Sequence, residues 1–195
     1  MSPEPAARRF EALGGECELY ALGAAEGTLD AAVAWVHRQH DRFTRFAEHS
    51  ELSRLNAAAG TWQPVSADLE ALLRVCLDAY ATSGGLVHAG VLPQLLAAGY
   101  TRTFREGPTA LTLERGTPPP PLPEMLEVAP GQARLARGTA IDLGGIAKGW
   151  LADRCVERLG HDALANLGGD LAARGGGPTG EGWPVGVGDR TLLLR

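Results

Sequence analysis

The sequence predicts a chain of mixed helices and strands built around one glycine-rich strand-to-helix corner. Three observations lead there. Two segments, 29–46 and 66–83, repeat apolar residues at helical spacing. Several short apolar runs are bounded by glycine or proline and read as strands. Between them stand 26 glycines and 13 prolines in 195 residues, enough for many tight turns.

Taken in order, residues 1–9 carry no periodic apolar pattern and are expected to be disordered. A strand is expected around Cys17–Ala21, with Gly14-Gly15 as a turn or bulge before it. Leu29, Val33, Val36, Phe43 and Phe46 then mark one buried helical face, flanked by Trp35. Ser50 followed by Glu51 reads as a helix N-cap, with Ser53 and Asn56 on a polar stripe that either faces a ligand or is simply solvated. Ser66 caps the second long helix, Asp68 and Glu70 load its first turn, and Gly84-Gly85 stops it. Leu69, Leu72, Leu73, Cys76 and Tyr80 form its buried face. His88 falls in the loop that follows, and a short helical turn is expected over 94–98.

A strand is expected over 110–113. Thr117 with Pro118 to Pro121 must then form an extended surface loop, because four prolines fit neither a helix nor a central strand. Strands 125–128 and 133–136 flank a Pro130-Gly131 turn. The corner follows: Ala140, Ile141 and Leu143 as a strand end, Gly144-Gly145, then a helix over 146–159 closed by Gly160. A helix starting there aims unpaired N–H groups at its front, glycines let a ligand approach the backbone, and Lys148 lies in the first turn. Read locally, the corner is either a diphosphate site or a tight turn with a surface lysine. Residues 163–170 repeat the theme as a strand ending in Gly168-Gly169-Asp170. Strands 183–187 and 191–194 complete the chain. The last is apolar with nothing after it, so the chain is expected to stop inside a larger architecture.

Composition removes several classes of function. A hydrophobic content of 45% supports a core, and a net charge of −5 without a basic cluster argues against nucleic-acid binding. No run is long enough to span a bilayer. Cys17, Cys76 and Cys155 are scattered, which makes neither a disulfide framework nor a zinc site and suits a reduced, cytoplasmic setting.

Four motifs, in one order, carry a resemblance. They are FTRFAEHSELSRLN (43–56), SGGLVHAGVLPQLLAAGY (83–100), DLGGIAKGWLADR (142–154), and NLGGDL (166–171) followed by GWPVGV (182–187). Together they resemble the FAD:protein FMN transferases, the ApbE-like flavin transferase family. The likeness runs from about Leu13 to Gly188 in a single partial domain, expected to span 10–195. It implies an α+β, ApbE-like flavin transferase fold, C-terminally incomplete. It also implies an enzyme that splits FAD with Mg²⁺ and joins FMN through a phosphoester to a threonine or serine of an acceptor protein.

By that resemblance Asp142 and Lys148 contact FAD, and the Gly145 carbonyl is a Mg²⁺ ligand. Leu86, Val87 and His88 line the flavin site, with Leu13, Ser53 and Asn56 as further contacts. Two departures stand out. The family's Phe-Asp-Pro-Thr is here Val87-His88-Ala89-Gly90, and the family's later metal-ligating segment has no counterpart before Arg195. The chain alone is therefore expected to transfer little or nothing, with a completing chain or a second copy as candidate partners. The competing reading is a non-catalytic, flavin-binding member of the same family. A P-loop nucleotide site fits poorly, because Gly149 follows Lys148 where Ser or Thr is needed.

Overall fold

The computed structural model describes residues 4–103, 106 and 117–195. The chain folds as two compact units, 1–40 with 148–195 and 41–147. The strand expected at 110–113 lies outside the described residues.

The first unit is built on an antiparallel sheet in the order β1 (Ala6–Ala12), β2 (Gly15–Ala21), β6 (Ala163–Leu167), β7 (Asp170–Arg174). Cys17, Leu19 and Ala21 alternate into the interior, as a strand with one buried face requires. Ala6 to Arg9, expected to be disordered, are the start of β1. Their side chains are exposed, and what orders them is backbone pairing with Glu18 to Ala21 on β2. Helix α1 (Thr28–Phe43) stops three residues short of the expected Phe46. Helix α6 (Ala147–Leu159) buries Leu151, Cys155 and Leu159, and its Trp150 ring lies 6.4 Å from that of Trp35 on α1. The hairpin β8 (Trp183–Val187) and β9 (Arg190–Leu194) leaves Leu192 and Leu193 half exposed.

The second unit holds α2 (Glu51–Ala57), α3 (Ala67–Thr82), α4 (Leu92–Ala97) and α5 (Leu122–Met125). With them is a sheet ordered β3 (Gln63–Pro64), β5 (Gln132–Leu135), β4 (Leu126–Ala129). The two serine caps form as expected: Ser50 Oγ accepts from Ser53 N–H and Ser66 Oγ from Leu69 N–H. Glu51 ties the caps together, since its Oε2 also accepts from the N–H and hydroxyl of Ser66. Leu52, Leu55, Leu69, Leu72, Leu73, Met125 and Leu135 form the core. Met125, expected to open a strand, instead closes the short helix that follows the proline loop.

The corner itself departs from expectation. Residues 140–143 form no strand, and α6 starts at Ala147, two residues beyond the glycine pair. The backbone of this segment finds its partners in a side chain and a loop rather than in a neighbouring strand.

Candidate functional site

In the second unit the segment around Asp142 is held at four points. The Asn56 carboxamide grips Ile141 on both sides: its Nδ2 donates to the Ile141 carbonyl at 3.0 Å, and its Oδ1 accepts from the Ile141 N–H at 2.9 Å. The Asp142 N–H donates to the Ala89 carbonyl at 2.8 Å. Asp142 Oδ1 accepts from Gly144 N–H at 2.8 Å, which fixes the turn. Asp142 Oδ2 lies 2.8 Å from Arg45 Nε.

Arg45 is itself immobilised. Its guanidinium sits in the corner between the rings of Phe46 and Tyr100, 4.2 and 4.5 Å from their centroids. Its Nη2 donates to the Tyr100 carbonyl at 2.7 Å. The side chains of Arg45 and Asp142 are only 7% and 13% exposed, so the pair is largely withdrawn from water. Beside it opens a cavity of about 500 Å³ lined by residues that include Arg45, Phe46, Ser53, Asn56, Leu92 and Arg102.

The loop before α4 is also locally satisfied. Gly90 N–H donates to His88 Nδ1 at 2.9 Å, so Nε2 carries the ring proton and donates to the Pro120 carbonyl at 3.0 Å. The ring stands edge-on to Tyr80 at 5.0 Å. A Cβ on Gly90 would fall 2.6 Å from Met125 Cε and 2.7 Å from His88 Cε1. Met125 and the imidazole thus take the space that a side chain at position 90 would need. Leu86 is 90% exposed and Val87 is partly exposed.

In the first unit Lys148 meets the Gly168–Gly169 turn. Lys148 Nζ lies 3.3 Å from Asp170 Oδ2 and donates to the Gly168 carbonyl at 3.3 Å. Gly168 N–H donates to the Glu16 carbonyl, beside the β1–β2 turn. At that turn Leu13 takes a left-handed φ of +55°, costly for a branched side chain, and its N–H donates to His40 Nδ1 at 3.3 Å.

The ApbE family model matches residues 13–194 of this sequence. The chain belongs to the ApbE family. Solved ApbE structures share its fold. The apo flavinyl transferase ApbE of Pseudomonas stutzeri superposes with a TM-score of 0.80 at 19% identity, over 100% of this chain and 69% of that one. The Thermotoga maritima ApbE protein gives 0.78 at 21%, over 95% and 64%. The Vibrio cholerae flavin transferase ApbE gives 0.74 at 17%, over 97% and 67%. This ApbE-family chain thus spans about two thirds of the length of these relatives. No curated protein matches it.

The second unit brings Ser53, Asn56 and Asp142 around one ApbE-family corner, with the His88 loop bonded to it through Ala89. Leu13 and Lys148 belong to the first unit. Sequence reasoning passes over Arg45. Its one signal is a cation placed between Phe43 and Phe46, just past the end of a helix. The expected Mg²⁺ ligand, the Gly145 carbonyl, has no ready companions. Both Asp142 oxygens are engaged, and no group of three His, Cys, Asp or Glu that could hold a metal occurs among the described residues. Hard cations need several oxygen ligands, so the described residues do not by themselves fit Mg²⁺.

Proposed function

We propose that this protein transfers the FMN half of FAD to a threonine or serine hydroxyl of an acceptor protein. In that reaction the hydroxyl oxygen attacks the FMN-side phosphorus, the bond to the bridging diphosphate oxygen breaks, and AMP leaves. The hydroxyl proton is released. The observation that carries the reading is the family match over residues 13–194, joined to a corner whose carboxylate is already fixed by Arg45 and Gly144.

FAD is the substrate, and the residues assigned to it are Asp142, Lys148, Leu13, Ser53, Asn56 and the Leu86-Val87-His88 loop. Lys148 supplies positive charge for the diphosphate, and its present partners, Asp170 and the Gly168 carbonyl, hold it at the Gly168–Gly169 turn. Asn56 contributes chiefly by holding Ile141, because both ends of its amide are spent there. The Gly145 carbonyl alone makes no Mg²⁺ site, so the metal's other ligands would have to come from outside the described residues. We place the protein in the cytoplasm, a reading supported by three buried cysteines, all free. No helix among the described residues is long and apolar enough to cross a membrane.

A second reading, a flavin-binding member without transferase activity, is favoured by two observations. The described residues lack a metal-ligand group, and both His88 ring nitrogens are occupied within the chain. One experiment separates the readings. The protein is incubated with FAD, Mg²⁺ and a threonine-bearing acceptor, and the acceptor is weighed by mass spectrometry. Covalent FMN supports transfer. Bound FAD without covalent FMN supports the second reading, and absence of FAD binding removes both. Lys148→Ala should weaken FAD binding in a fluorescence titration; unchanged affinity removes Lys148 from the diphosphate site.

A further inference from the structure

Asp142 is surrounded in an uneven way. One carboxylate oxygen accepts from the Gly144 N–H within its own turn, and the other faces Arg45 Nε at 2.8 Å. The guanidinium cannot swing to another partner without losing its stacking on Phe46 and Tyr100 and its bond to the Tyr100 carbonyl. The backbone behind the carboxylate is pinned by Asn56 and by the Ala89 carbonyl. A buried arginine packed in place in this way holds a carboxylate by charge at close contact, 2.8 Å here, although its Nε makes no hydrogen bond. An exposed pair would not, since solvent screens it and side-chain entropy opposes it.

We propose that Arg45 is the positioning residue for Asp142, holding its carboxylate aimed before the flavin dinucleotide arrives. The inference rests on the proposed binding of FAD. Arg45 acts through Asp142 and not on the flavin directly. Its removal lets the carboxylate turn within the corner, so the effect falls on FAD affinity, and the transfer step at saturating FAD is spared.

The test is a double-mutant cycle on FAD binding with Arg45→Gln, Asp142→Asn and the double variant, read by flavin fluorescence. Circular dichroism and thermal unfolding establish that each protein is folded at the assay temperature. Arg45→Gln should weaken FAD binding by about tenfold or more, since misplacing one charged acceptor has effects of this order. In the Asp142→Asn background the same change should have little further effect. Arg45→Lys should fall between wild type and Arg45→Gln, because an ammonium keeps the charge but cannot reach Asp142 and the Tyr100 carbonyl as a planar fork does.

Wild-type affinity in Arg45→Gln overturns the inference. So do additive effects in the cycle, which would mean that Arg45 acts independently of Asp142. If Arg45→Gln does not fold, Arg45→Lys in the two Asp142 backgrounds carries the same cycle, and additivity there overturns the inference equally. A wild-type protein that binds no FAD removes the functional reading and this inference with it. Binding that is intact in the wild type and unchanged in Arg45→Gln removes the inference alone.

Discussion

Asn56→Ala strikes the corner at its backbone. The Asn56 amide is half-buried and makes two bonds to the backbone of one residue, Ile141, whose own side chain is fully buried. Removing the amide leaves one N–H and one C=O without partners in a segment that has no sheet ladder to fall back on. An unsatisfied buried polar group costs about 1–3 kcal/mol, and the partial exposure of this site puts each group near the lower end. The expected loss is therefore about 2–3 kcal/mol in urea unfolding at neutral pH, at unchanged m-value. Asn56→Asp keeps an acceptor for the Ile141 N–H but loses the donor to its carbonyl. It should cost no less than half as much, with the added charge near Asp142 working in the same direction. A loss below about 0.5 kcal/mol in Asn56→Ala, the level of an ordinary surface change, would refute the view that this carboxamide organises the corner.

Two further predictions concern packing and pH. Gly90→Thr should destabilise the protein by about 1–3 kcal/mol through overlap with Met125 and His88, and His88→Asp should recover part of that loss; equal destabilisation with and without His88→Asp would show that the imidazole is not the obstacle. Burial pushes the Cys76 and Cys155 thiols up to about 12 from an ordinary 9.0. Above pH 9 the unfolded chain therefore gives up protons that the folded one keeps, and stability falls. Each thiol should remove about 1.4 kcal/mol between pH 8 and pH 10, so the unfolding free energies of wild type and Cys76→Ala should converge by that amount; parallel pH profiles would refute it.

What can be read from the sequence follows from interactions between near neighbours. The helical faces of α1, α3 and α6, the serine caps at Ser50 and Ser66, and the glycine stop at Gly160 each depend on residues within a few positions of one another. Three of the misses come from distant pairings. Ala6 to Arg9 have no apolar alternation, and their strand exists because β2 offers a backbone edge to pair with. The run at 140–143 reads as a strand end because it is apolar, yet its hydrogen bonds go to Asn56 and Ala89, which no local pattern announces. Arg45 escapes sequence reasoning for the same reason: its role depends on Asp142 and Tyr100, both far along the chain.

The two glycines of the corner answer to different demands. Gly144 is required by the chain itself, since a Cβ there would fall 2.9 Å from Asp142 Oδ1, the oxygen that accepts from the Gly144 N–H. Gly145 is not required in that way: an added Cβ would meet nothing within 4 Å, and its backbone is not among the left-handed glycines. Ala would therefore fit this position sterically, and it would favour the helix that follows. Open space around an unforced glycine, beside the clamped Asp142 carboxylate, is what the proposed approach of FAD to this backbone requires, though Gly149 and Gly186 are equally open and unforced. The Asp142 carboxylate and its clamp explain how the corner keeps its shape, and the choice of glycine at position 145 is the part of it that internal packing leaves unexplained.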